Sequence, residues 1–118
     1  MSVVIMDGRV RVYWLTACAN IALPTIARDL AASDLLDVVS SDYVPVSLAH
    51  APFTLAAAGI GLDLPAAVRL VSRNPARAVG LDDRGEIAPG KRADLIRIRV
   101  ADGMPVVREV WRAGSRIV

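Results

Sequence analysis

Leu35-Leu36-Asp37-Val38-Val39-Ser40-Ser41-Asp42-Tyr43-Val44-Pro45 is the stretch on which the reading of this chain turns. Its opening is apolar apart from Asp37, the pattern of a short buried strand. It ends in small polar residues, a carboxylate at Asp42 and a helix-breaking proline three residues on. In parallel α/β architectures the carboxyl ends of strands are where chemistry is placed, so Asp42 is the first candidate functional residue. Position alone leaves two roles open. Asp42 can cap or turn the backbone, or it can act as a metal ligand or as the acceptor of a proton from metal-bound water.

Upstream, residues 2–6 form a β-branched run compatible with a strand, Asp7-Gly8 offers a turn, and residues 9–12 alternate Arg and Val. From Asn20 to Ser33 the apolar positions Ile21, Ile26, Leu30 and Ala31 approach a helical stripe, with Pro24 in the first turn and Arg28 and Asp29 facing solvent. The order of strand, loop, helix and strand from residue 2 to residue 39 predicts a βαβ unit of a parallel sheet.

Downstream, residues 47–58 favour a helix that Pro52 should kink or divide. Gly59-Ile60-Gly61 should end it, and Asp63 or Leu64 should cap a further helix with Pro65 in its first turn. That helix shows an apolar face of Leu64, Ala67, Val68 and Val71. Asn74-Pro75 starts a short helix that Gly80 stops. From Gly85 onward the pattern is strand and turn: a short strand at Glu86-Ile87, a tight turn at residues 88–91, a strand over 93–100, a turn at Asp102-Gly103, a strand over 105–111 and a turn at residues 113–115. Ile96, Ile98 and Val100 alternate with Arg97 and Arg99, which predicts one buried and one wet face.

The chain has 118 residues, 54% of them hydrophobic and only 4% aromatic, so an aliphatic core needs no disulfide. Cys18 has no partner in the chain, which points to a reducing, cytoplasmic setting. No apolar run is long enough to span a bilayer. Thirteen Arg and one Lys are spread among twelve acids, for a net charge of +2. Neither a nucleic-acid footprint nor a membrane surface is indicated.

Several motifs fail on their own terms. Gly85 to Lys91 has the spacing of a phosphate loop, but Arg92 replaces the magnesium-binding hydroxyl and a strand follows where a helix must begin. A hairpin turn is the expected structure there. Gly59-Ile60-Gly61 lacks the third glycine and the preceding strand of a dinucleotide site. Cys18 has no base near it, and His50, the single histidine, has no companion at metal-ligand spacing.

Taken together, residues 34–45, Asn74-Pro75-Ala76-Arg77-Ala78-Val79-Gly80-Leu81, the run from Asp83 to Leu95 that contains Gly90-Lys91-Arg92-Ala93-Asp94-Leu95, and Val110-Trp111-Arg112-Ala113-Gly114 resemble the C-terminal part of the amidohydrolase superfamily. Ser40-Ser41-Asp42-Tyr43-Val44-Pro45 points to its phosphonate-pathway branch. The resemblance covers residues 20–118. It implies an α/β fold in which residues 1–80 are the last β/α units of a metal-dependent (β/α)8 barrel and residues 81–118 are part of a small β-sandwich.

The resemblance further implies that Asp42 is the catalytic and metal-site aspartate after the eighth strand. The reaction it implies is hydrolysis of a phosphorylated small molecule, a ribose 5-triphosphate, with release of diphosphate. The divalent metal, zinc by expectation, is held in the family by a His-x-His pair, a modified lysine and further histidines, which this sequence lacks. The chain alone is therefore expected to bind no metal and to be inactive. The other reading is a non-catalytic module that pairs with an N-terminal partner chain or forms a homo-oligomer. Residues 7–19 depart from the family while their flanks do not; residues 15–20 read Leu-Thr-Ala-Cys-Ala-Asn where the family carries Gly-Ser-His-Ser-Gly-Asn, a departure that a local frameshift would produce.

Overall fold

The structure is a computed structural model that describes residues 3–6, 9–12, 23–40 and 45–118, with side chains from Arg28 to Ser40 and from Leu48 onward. β1 (Val3–Met6) and β2 (Arg9–Val12) pair antiparallel, Val3 opposite Val12 and Met6 opposite Arg9. The expected parallel βαβ unit does not form, because β1 is paired in a hairpin with β2 and residues 35–39, its expected second strand, join neither sheet.

Helix α1 (Leu23–Ala32) exposes Arg28 and Asp29 and turns Leu30 and Ala31 toward the core, as the stripe predicts. It ends in paired reverse bonds, Leu35 N–H to the Leu30 carbonyl at 2.9 Å and Asp34 N–H to the Ala31 carbonyl at 3.2 Å. Asp34 takes the left-handed conformation (φ 55°) that this C-cap requires.

The segment that follows belongs to neither sheet. It has bridge residues only at Leu36 and Ser40, yet Leu36, Val38 and Val39 are buried as the apolar run predicts. Its backbone is held from the side: Val39 N–H donates to the Leu70 carbonyl at 2.9 Å, and the Asn74 side chain donates to the Asp37 carbonyl at 2.8 Å.

Helix α2 (Pro45–Ala57) opens on proline, whose missing N–H costs nothing in a first turn, and runs through Pro52 without dividing. Of the two expected effects, a kink or a division, the division does not occur. Pro52 removes one backbone donor, while Ala51 and Leu55, on either side of it, are buried in the core and hold the two halves in one helix. Asp63 caps α3 (Leu64–Arg69), its Oδ1 accepting from Ala66 N–H at 2.7 Å. The face of α3 that reaches the core is Ala67 with the following Leu70 and, in part, Val71; Leu64 and Val68 stay largely exposed, against expectation. Helix α4 (Arg73–Ala78) follows and ends before Gly80. Leu36, Val39, Ala51, Leu55, Ala67 and Leu70 make one core, and burial of each larger aliphatic side chain contributes about 1.5–3 kcal/mol.

The remaining chain makes β3 (Leu95–Ala101), β4 (Met104–Arg112) and β5 (Ser115–Arg116), an antiparallel sheet in sequence order. Asp102 and Gly103 both have positive φ (50° and 77°), as a two-residue hairpin turn demands. A bulge between Arg97 and Ile98 leaves Arg108 as the extra residue of β4. Glu86-Ile87 forms no strand, so the Gly85 to Lys91 stretch is a turn in a loop and not a hairpin.

The alternation in β3 is present, but its apolar face is not buried. Ile96 and Val100 are 56% and 53% exposed and Ile98 is half-buried. Helix α2 meets the sheet at β4, where Pro105 is buried, and a cavity of about 500 Å³ separates Ile96 and Ile98 from Leu48, Phe53, Val68 and Val71.

Candidate functional site

Asp42, the sequence-predicted catalytic and metal-site residue, lies outside the described residues. The described residues resume on either side of it at Ser40 and Pro45. On one side the segment ending at Ser40 is clamped by Leu70 and Asn74; on the other, α2 begins at Pro45. A cavity of about 310 Å³ opens beside Ser40, walled by Val38, Leu48, Val71, Pro75 and Val79. The wall is aliphatic apart from Ser40, so among these residues none carries charge or titrates near neutrality.

His50 is not brought to that cavity. It lines a separate space of about 490 Å³ between α2 and the turn joining β3 to β4, together with Arg28, Phe53, Thr54, Met104 and Pro105. Among the described residues no three of His, Cys, Asp and Glu lie close enough to hold an ion, so the described residues do not fit a zinc site of three protein ligands and an open position. Cys18 lies outside the described residues.

The loop that mimics a phosphate cradle is occupied with its own chemistry. The Lys91 ammonium bonds the Asp82 carbonyl and approaches Glu86 at 3.5 Å, and Glu86 in turn meets Arg73 of α4 at 3.1 Å. Lys91 is therefore directed at its own loop, which agrees with rejecting the motif.

What sequence reading passed over is the polar knot beside it. Asp94 accepts from the Ala113 N–H at 2.8 Å and from Arg92 at 3.0 Å. These bonds, the backbone one foremost, hold its carboxyl below the usual carboxylate range. Asp83 is likewise lowered, chiefly by its bidentate pair with Arg84 at 2.7 and 2.9 Å. The alternation of acid and base in Asp83-Arg84 and Arg92-Ala93-Asp94 was the available signal. The knot ties this loop to the sheet through the bond that Ala113 N–H donates to Asp94.

Comparison with known proteins places this geometry. The profile of the amidohydrolase family matches residues 6–118. The chain is 47% identical over 92 residues to alpha-D-ribose 1-methylphosphonate 5-triphosphate diphosphatase of Escherichia coli K12, covering 77% of this chain and 24% of that protein. It is 38% identical over 81 residues to imidazolonepropionase of Deinococcus deserti, covering 62% of this chain and 20% of that protein. The crystal structure of an amidohydrolase from Thermotoga maritima MSB8 superposes with a TM-score of 0.58 at 28% identity, over 83% of this chain and 26% of that one. The chain thus spans about a quarter of the length of these proteins. Its helices and antiparallel sheet are an α/β portion of the same fold, as the resemblance implies, and the chain belongs to the amidohydrolase family.

Proposed function

We propose that this chain supplies the carboxyl-terminal barrel units, residues 1–80, and a β-sandwich portion, residues 81–118, of a metal-dependent hydrolase of phosphonate catabolism that releases diphosphate from a ribose 5-triphosphate. Asp42 is its catalytic carboxylate. The observation that carries this reading is the 47% identity over 92 residues to the Escherichia coli diphosphatase, well above the 38% to imidazolonepropionase. The division at residue 80 is supported by the change from four helices to a sheet in which no helix recurs.

One carboxylate cannot retain a catalytic zinc, which takes about three protein ligands. The remaining ligands must come from outside this sequence, and the isolated chain is expected to hold no stoichiometric zinc and to release no diphosphate. Zinc retained through dialysis and lost in Asp42→Ala would contradict this. The reading itself is tested by supplying the rest of the enzyme: fused behind the first three quarters of the Escherichia coli relative, this chain should restore release of diphosphate from the ribose 5-triphosphate. A soluble, folded fusion with no such activity would overturn it.

The open apolar face of the sheet supports a second reading, in which the chain acts as a non-catalytic interaction module, either completing a separate N-terminal chain or associating with itself.

A further inference from the structure

Two neighbouring residues at the start of α4 hold two different parts of the molecule. Asn74 donates from its side chain to the Asp37 carbonyl at 2.8 Å, in the segment that ends at Ser40. Arg73 turns instead to the loop that leads into the sheet, with its Nε 3.1 Å from Glu86 Oε2. That Nε is buried and makes no well-aligned hydrogen bond among the described residues, so the Glu86 carboxylate is what answers its charge.

The backbones meet at the same place. A Cβ on Gly85 would stand 2.9 Å from Arg73 Cα and from the Ser72 carbonyl oxygen, so the loop seats main chain against main chain on the start of α4. The loop is tied onward to the sheet. Arg92 N–H donates to the Asp83 carbonyl at 2.7 Å, Gly114 N–H donates to the Ala93 carbonyl at 2.9 Å, and Ala113 N–H donates to the Asp94 carboxylate at 2.8 Å. Between Arg73 and Asn74 there is little slack, because both belong to one helix and the ring of Pro75 fixes the next φ. Close-packed contacts of this kind transmit a displacement and do not absorb it.

We infer that the start of α4 is a conformational link, through which the loop at residues 82–92 governs how tightly residues 37–39 are held. Pressure or lost charge on the Arg73 side loosens the Asn74 clamp on the other side. Two independent contacts would behave differently, since each could then be removed without weakening the other.

Native-state hydrogen exchange on the whole chain separates the two cases. The reporter is Val39 N–H, which donates to the Leu70 carbonyl, and the reference is Leu35 N–H, which donates to the Leu30 carbonyl at the other end of the same segment. Gly85→Ala presses a methyl on Ser72 and Arg73, and Glu86→Gln strips Arg73 of its counter-charge. Each should raise the ratio of Val39 to Leu35 exchange about fivefold. Gly59→Ala controls for general loss of stability: Gly59 has a similar φ of 68° but open space for the methyl, and the ratio should stay at the wild-type value. Adding Glu86→Gln to Asn74→Ala should raise the ratio no further, because the clamp is already gone. Should Gly85→Ala fail to fold, Glu86→Gln and its combination with Asn74→Ala carry the test. A wild-type ratio in Glu86→Gln, an equal rise in the Gly59→Ala control, or a full further rise in the double variant overturns the link.

Discussion

The Asn74 side chain reaches back 37 residues to donate its Nδ2 proton to the carbonyl of Asp37 at 2.8 Å. With the bond from Val39 N–H to Leu70, it fastens the segment leading to Asp42 onto the end of α3 and the start of α4. The bond is partly buried, so removing the donor takes from the Asp37 carbonyl a hydrogen bond that water replaces poorly. Asn74→Ala is expected to cost about 1–2 kcal/mol in urea unfolding, with Asn74→Asp no better because a carboxylate cannot donate. Unchanged stability in both variants would remove Asn74 from the role of clamp.

Gly85 makes the second close approach. Its φ is 89°, and a Cβ there would stand 2.9 Å from the Arg73 Cα and the Ser72 carbonyl oxygen, both backbone atoms that cannot rotate away. Gly59 has a similar φ of 68° but open space where a Cβ would go. Gly85→Ala should therefore destabilise by about 2–4 kcal/mol, the sum of left-handed strain and overpacking. Gly59→Ala should cost only the strain, about 1–2 kcal/mol. Equal losses measured by denaturant melts would show that the packing of Gly85 against α4 contributes nothing.

Asp94 predicts a pH dependence with a definite sign. Its carboxyl is held below its ordinary value in the folded state, first by the Ala113 N–H and then by Arg92 and Arg84. A depressed folded pKa adds stability that is whole above the ordinary aspartate pKa and is lost as pH falls through the folded value. Asp83, lowered by Arg84, acts in the same direction. Stability should decline on the acid side of the ordinary carboxylate range, and Asp94→Asn should be less stable at neutral pH with a shallower acid limb. An Asp94→Asn chain whose acid limb matches that of the wild type would contradict this assignment.

How far the sequence could be read depended on whether a feature was local. The Asp63 cap with Pro65 behind it, the glycine stops at Gly59 and Gly80, and the Asp102-Gly103 turn were legible because each is decided by the backbone needs of a few neighbouring residues. Partner choice was not local. The period of residues 3–6 and 9–12 and the Asp7-Gly8 turn signal mark two strands, but that residues 35–39 join neither sheet depends on contacts that no strand pattern carries. The alternation of Ile96, Ile98 and Val100 correctly marks one face, but whether anything covers that face depends on how far α2 and α3 extend over it, and no strand pattern carries that information. The extended run at residues 35–40 was read correctly as buried and wrongly as a sheet strand, for the same reason. Of the candidate site, the sequence singled out Asp42 by its place after an apolar run and gave it a role through family resemblance, while Asn74, which clamps the segment leading to it, shows its role only through a contact 37 residues away.

The central claim is that this chain brings one catalytic carboxylate, Asp42, to a diphosphate-releasing hydrolase. The most direct measurement is the rate of diphosphate release by the fusion with the Escherichia coli relative, compared with the same fusion carrying Asp42→Asn. Loss of a carboxylate that handles the proton of the attacking water should lower the rate by about 10²–10⁴-fold while leaving the fusion folded and its substrate affinity little changed. An Asp42→Asn fusion as active as its parent would contradict the claim.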